Sequence, residues 1–247
     1  MISFSEILQI PTGVTAVVGG GGKTTLMMRL AQELSKKHKV LVTTTTHIWQ
    51  PECFTVLSPD QSELAVAFLQ HNLVVAGEPA ADGKLSMPQR LGVYWRNLAE
   101  YVLVEADGSR GLPLKVPAEN EPVLPPDACL VIAVAGMSCV GQPIRLSAHR
   151  PERYAALSGL PEDETITPQA VAKVLENTCG QRKGVNSAFR ILLNQTDTPT
   201  RLAFARQTAR LLHADTVLTA LQAHPGWAEI WADGVYQRTL NEEEERA

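Results

Sequence analysis

Between Val14 and Leu26 the chain reads V-T-A-V-V-G-G-G-G-K-T-T-L, an apolar strand that passes through four consecutive glycines straight into a helix. Few folds accept that order. Glycines allow backbone N–H groups to converge without Cβ clashes, and the helix that follows adds the positive end of its dipole. The run is expected to cradle phosphate with Gly19, Gly20, Gly21, Gly22, Lys23, Thr24 and Thr25. Lys23 is expected on the β- and γ-phosphates from an exposed helix start, and the Thr24 hydroxyl on Mg²⁺. A strict phosphate-loop pattern would place glycine where Val17 stands. The spacing matches instead the variant loop in which two glycines precede x-G-K-T, although the extra signature lysine of that branch is replaced by Val18. A dinucleotide-binding turn fits less well. It wants a third glycine at Thr24 and an acid closing the second strand, which ends instead T-T-T-T-H at Thr43–His47. Those threonines approach the γ-phosphate or simply fill a strand; His47 reads as a surface residue.

Strand-length apolar runs recur at Thr15–Val18, Val40–Thr44, Leu73–Ala76, Tyr101–Ala106, Cys129–Ala135, Arg190–Leu193 and Thr216–Leu218. They are near-continuous rather than alternating, as in strands covered on both faces. Helical stretches lie between several of them. The first is predicted over about 23–37, and others after Ser58-Pro59, Thr167-Pro168 and Thr198-Pro199, each a cap followed by proline. The expected fold is α/β, a three-layer P-loop NTPase-like arrangement with a mainly parallel sheet and one domain over residues 1–247. Two stretches stand apart. Gly108–Pro126 holds five prolines and two glycines and reads as a long functional loop, and 241–247 is an acidic tail. A net charge of -4 without a basic stripe argues against nucleic acid as the main partner. The longest apolar run, Ala128–Met137, is too short to span a bilayer. Four widely spaced cysteines and no signal-peptide pattern lead to an expected cytoplasmic location.

Two further segments carry chemistry. Y-V-L-V-E-A-D-G at 101–108 is an apolar strand ending in acids, and strand alternation turns Glu105 and Asp107 to one face. Asp107 is expected to anchor magnesium, and Glu105 to orient or deprotonate a nucleophile. Further on, Asn194-Gln195-Thr196-Asp197 follows a strand and resembles the N-K-x-D guanine-reading motif with glutamine in place of lysine. Asp197 there would accept hydrogen bonds from the N1–H and 2-amino groups of guanine, which favours GTP over ATP. The local alternative is a turn that leads into the helix at Thr198-Pro199.

Taken together, V-V-G-G-G-G-K-T-T, V-L-V-T-T-T-T-H-I, V-L-V-E-A-D-G-S-R-G-L-P-L-K, A-H-R-P-E-R and L-L-N-Q-T-D fall in order from Val17 to Asp197. They resemble the selenium-dependent hydroxylase accessory family of the YqeC type. The resemblance implies a role in maturing molybdenum-dependent hydroxylases, in handling selenium or the molybdopterin cofactor, with an apo-hydroxylase or a cofactor-maturation protein as partner. Arg110, Lys115, His149 and Arg150 lie in the family-like segments. They could bind an anionic cofactor, stabilise charge on the γ-phosphate, or serve as salt bridges and loop anchors. The function expected first is a Mg²⁺-dependent GTPase or ATPase that assists maturation. An ATP-dependent kinase or ligase acting on a small anionic substrate, and a nucleotide-gated binding module with little hydrolysis, remain as alternatives.

Overall fold

The computed structural model describes residues 2–91, 95 and 97–241. The acidic stretch beyond Asn241 lies outside the described residues. In chain order the helices and strands are α1 (Phe4–Ile7), β1 (Gly13–Gly19), α2 (Lys23–Leu34), β2 (Val40–Thr44), β3 (His47–Trp49), β4 (Thr55–Leu57), α3 (Gln61–Gln70), β5 (Leu73–Pro79), β6 (Lys84–Ser86) and β7 (Tyr101–Glu105). They continue with β8 (Leu114–Lys115), β9 (Ala128–Gly136), α4 (Ile144–Ser147), β10 (Ala148–His149), α5 (Pro151–Ser158), α6 (Pro168–Glu176), β11 (Ala188–Asn194), α7 (Pro199–Ala209), β12 (Thr216–Ala220), β13 (His224–Ala232) and β14 (Val235–Asn241).

The main sheet runs β14-β13-β12-β11-β9-β1-β7-β2-β5-β6-β3, with β4 beside β5. Its centre, from β12 to β5, is wholly parallel, and the antiparallel pairs lie toward the two edges. Strand β9 shows how one sequence serves two layers. Leu130, Ile132 and Val134 enter the core shared with α1 and α2, while Val131, Ala133 and Ala135 enter the core under α5, α6 and α7. The continuous apolar run at β9 is therefore what a strand with helices on both faces requires. The fold is α/β, with the expected three layers and mainly parallel sheet.

Helix α2 forms because Leu26, Met27, Leu30, Ala31 and Leu34 recur at helical spacing and all become buried. Each large side chain buried there contributes about 1.5–3 kcal/mol. The helix ends at Leu34 rather than Lys37, because Ser35, Lys36 and Lys37 have no apolar face to bury. Helix α3 also departs from expectation. Asp60, not Ser58, caps it through a reciprocal box with Glu63, and Ser58 sits in the left-handed region at φ 48°. The long segment from Gly108 contributes its own short strand, β8, which pairs in parallel with β10. The hairpin of β13 and β14 was not anticipated. Its signal was Asp233-Gly234, whose φ values of 46° and 71° are those of a two-residue hairpin turn.

Candidate functional site

The carboxyl ends of β1, β7, β9, β11 and β12 share one rim of the sheet, where the expected site residues collect. Parallel α/β sheets bind ligands at this rim. The glycines of the loop are needed for close approach as much as for flexibility. At Gly21 (φ 72°) a Cβ would collide with the Gly136 backbone at the end of β9. At Gly22 (φ 129°) it would collide with the Asn194 amide. Backbone partners engage the first amides: Gly20 N–H donates to Val134 O at 2.8 Å, and Gly21 N–H donates to Leu112 O at 3.2 Å. Gly19 N–H donates to both oxygens of Asp107, each at 3.1 Å. Beyond them α2 begins at Lys23, and its capping residue Gly22 brings no side chain, so the first N–H groups of the helix have no built-in acceptor.

Lys23 corrects an expectation. It is not on an exposed helix start but only 4% exposed. Its ammonium donates to Gly19 O at 2.9 Å and lies 3.5 Å from Glu105 and 3.6 Å from Asp107. Ser109 Oγ is within 3.5 Å of the same nitrogen. A bare ammonium at this depth would be strongly disfavoured; two carboxylates and a carbonyl make it tolerable.

The two acids do border one cation, as strand alternation requires, but their surroundings differ. Thr24 Oγ1 donates to Glu105 Oε2 at 2.9 Å. Asp107 is fully buried, held by Gly19 N–H and flanked by Lys23 and by Lys115 at 3.3 Å. The expected grouping of Thr24 with Asp107 is thus not the hydrogen-bonded grouping the structure makes; Thr24 pairs with Glu105. Burial, reinforced by the negative charge of Asp107, lifts the Glu105 carboxyl above its ordinary range despite the pull of Lys23 and Thr24.

A second layer of charge supports this one. The Lys115 side chain is fully buried; its ammonium donates to Gly108 O at 2.7 Å and to Glu121 at 2.6 Å. Arg150, left-handed at φ 65°, donates to both Glu121 oxygens at 2.9 Å. Burial alone would raise Glu121, but hydrogen bonds from Lys115 and Arg150 outweigh it and hold the carboxyl down at about 2. His149 Nδ1 lies 3.2 Å from Gly108 O. Its pKa is lowered by burial and by the neighbouring positive charges of Arg150 and Lys115. Of the four basic residues singled out in the sequence, Lys115 and His149 therefore anchor the Gly108 turn, and Arg150 supports them through Glu121. Arg110, left-handed at φ 52° in that turn, makes neither a hydrogen bond nor an ion pair with the described residues. Glu121 was missed by sequence reasoning, because nothing local marks an acid in a proline-rich loop as the partner of two cations.

The threonines at the end of β2 and just beyond it serve the backbone. Thr43 donates to Ala76 O, Thr44 to Glu105 O and Thr45 to Val123 O, which ties β2 to the strands on either side and to the long segment. His47 is exposed on β3.

On the other side of the loop, Asn194 Nδ2 donates to Gly21 O at 2.8 Å, and its Oδ1 accepts from Leu221 N–H at 3.1 Å. Asn194 therefore clamps the glycine loop to the turn after β12. Gln195 folds against Gly136 and accepts from Ser138 at 2.6 Å. Asp197 stands apart from the buried acids. Its two oxygens accept from Arg201 Nη1 at 3.0 Å, one turn along in α7. It also lines an open cleft of about 640 Å³ between the Thr196–Pro199 segment that leads into α7 and the Ala223–Trp227 segment that opens β13.

Fold and site together define a three-layer α/β protein with a glycine loop, a buried lysine and two acids converging at the start of a helix. Comparison with known proteins then gives the family. The "YqeC protein" family matches residues 15–152, and the chain belongs to it. A relative from Escherichia coli (strain K12), named "Uncharacterized protein YqeC", is 34% identical over 186 residues, covering 72% of this chain and 73% of its own length. No solved structure matches. No helix among the described residues is long and apolar enough to cross a membrane.

Proposed function

We propose that the protein binds a nucleoside triphosphate with Mg²⁺ across this rim, GTP in preference to ATP, and hydrolyses it while assisting the maturation of a molybdenum- or selenium-dependent hydroxylase. The observation that carries the reading is the convergence of Lys23, Thr24, Glu105 and Asp107 on the uncapped start of α2. Lys23 holds an ion-pair position that an incoming β,γ-phosphate would take over. The first N–H groups of α2 supply neutral donors for the same anion. The maturation role rests on family kinship, and a cytoplasmic location goes with it.

The residues present fit magnesium, but in a different distribution from that expected. Hard cations of this kind take one or two protein oxygens together with phosphates and water. Thr24 Oγ1 and Glu105 are the adjacent pair, and Glu105 is the acid whose charge is undercompensated. Asp107, saturated by two lysines and an amide, is better suited to fix Lys23 and the loop than to take a metal. Magnesium would screen charge on the phosphates and hold Glu105 ionised. Arg110, uncommitted beside Ser109, is the cation available for charge growing on the γ-phosphate.

Calorimetric titration with GTP, with and without Mg²⁺, tests the reading. Glu105→Gln is expected to abolish the magnesium dependence of binding. Arg110→Ala is expected to leave affinity intact and slow single-turnover hydrolysis by at least about tenfold. Wild-type protein that binds no triphosphate would sink the proposal.

A further inference from the structure

The glycine loop does not stand open. The Gly21 amide, which a phosphate would use, already donates to Leu112 O at 3.2 Å, and just beyond it Gly136 N–H donates to Pro113 O at 2.9 Å. The packing is as tight as the hydrogen bonding. A Cβ on Gly20 would come within 2.5 Å of Leu112 O, and one on Gly21 within 3.1 Å of Pro113 O. The chain from Ser109 to Pro113 therefore lies across the cradle, with a backbone carbonyl where a phosphate oxygen would accept.

The two ends of this strap are fixed, and its middle is not. At one end Gly108 O accepts from Lys115 Nζ at 2.7 Å and lies 3.2 Å from His149 Nδ1. At the other, Leu114 is buried in β8 and paired with Ala148 of β10. Between them Arg110 and Gly111 are exposed and left-handed, at φ 52° and 79°, and Leu112 and Pro113 are half-buried. Leu112 N–H donates to Ser109 O at 3.0 Å, which ties the strap to itself, and Pro113 has no N–H to give. The left-handed backbone at Arg110 works against the closed form, because a Cβ is crowded there.

We infer that Ser109–Pro113 is a gate over the phosphate site, closed in the empty protein and displaced when the phosphates of a nucleotide take the Gly21 amide from Leu112. The inference rests on the nucleotide reading above. The exchange is favourable at Gly21, since a charged oxygen is a stronger acceptor than a neutral carbonyl. Closure lowers affinity in proportion to the fraction of molecules that are open, so a change that disfavours the closed strap tightens binding.

Gly111 provides the test. A Cβ there would meet nothing within 4 Å, so Gly111→Ala acts only through the backbone, whose left-handed φ alanine resists. The probe is inorganic tripolyphosphate with Mg²⁺, which carries phosphates and no base. In calorimetric titration of the full chain, Gly111→Ala should bind it roughly threefold more tightly than wild type. Gly141→Ala, at an equally open left-handed glycine (φ 81°) away from the strap, should bind as wild type does. In the wild type, amide exchange followed by NMR should speed up at Gly136 on binding, because Pro113 O has left it. Unchanged or weaker binding by Gly111→Ala, equal tightening in Gly141→Ala, or exchange at Gly136 that does not speed up would overturn the gate while leaving the phosphate site standing. Failure of wild type and Gly111→Ala alike to bind tripolyphosphate or Mg-GTP would overturn the nucleotide reading, and this inference with it.

Discussion

The two ends of the rim are built on opposite principles. At the phosphate end Lys23, Asp107 and Lys115 are buried and paired, and Asp107 is joined to Gly19 and Lys23 from far along the chain. At the base end Asp197 is exposed and paired with a residue one helical turn away, and its neighbour Thr196 has an enclosed, unpartnered hydroxyl. A preformed cluster of buried charges is costly to disturb, because removing one member strands the others in a poorly solvated place. An open cleft with weak local pairs can exchange those pairs for ligand contacts at little cost. The phosphate end should therefore report mutations as changes in folding, and the base end as changes in selectivity.

Lys23→Ala should give the largest effect. It leaves Glu105 and Asp107 facing each other with only Lys115 near Asp107, so the ligand-free protein should lose about 3–5 kcal/mol in a denaturant titration, besides losing triphosphate binding. Normal stability would show that the cluster is not balanced as described.

Asp197→Asn should leave stability nearly unchanged, because only an exposed i,i+4 pair is lost. Base preference should change instead. Loss of a charge-assisted bond to guanine is worth about 1.5–3 kcal/mol, a fall of roughly ten- to a hundredfold in preference over ATP. Because the amide can donate to the 2-carbonyl of xanthine, competition binding should show a shift from GTP toward XTP. An unaltered preference, or a wild type that favours ATP, would mean that Asp197 is a turn residue.

Glu121→Gln probes the buttress behind the phosphate end. The wild-type carboxyl is held at about 2, well below its unfolded value, so its stabilisation is present above the unfolded pKa and is lost as pH falls toward 2. The variant lacks that contribution at every pH and should be less stable at neutral pH by about 1.5 kcal/mol. The gap in melting temperature between variant and wild type should close as pH is lowered from about 5 toward 2. A constant gap would mean that Glu121 is not ionised by its two partners.

Arg201→Ala should be the smallest effect. Freeing Asp197 removes a pair worth about 0.3–0.5 kcal/mol, so GTP should bind about twofold more tightly. Weaker binding would show Arg201 to be a ligand contact rather than a competitor.

Much of this was legible in the chain alone. The strand and helix positions around Val14–Leu34, the covered strand at 128–136 and the placement of Glu105 and Asp107 on one face follow from periodicity and from glycine and proline positions. Such features depend on residues a few places apart, where backbone geometry already decides which side chains share a face. The exposed edge was harder to read. The hairpin turned by Asp233-Gly234 is half-polar, and its turn signal was the only local mark.

Tertiary structure alone decided how the charges are shared. Gly19 meets Asp107 across 88 residues, and Asn194 meets Gly21 across 173. No local rule distinguishes which of two acids will receive an amide and two lysines and which will face a threonine hydroxyl. That outcome depends on strand order, which brings β7 against one side of β1 and β9 against the other, and on which groups burial then leaves without water. Desolvation acts on whatever the fold brings together: it raised Glu105, saturated Asp107 and left the Thr196 hydroxyl without a partner. The sequence determined the parts of a phosphate site from short-range geometry. Packing assigned their roles, because buried charge is governed by neighbours in space.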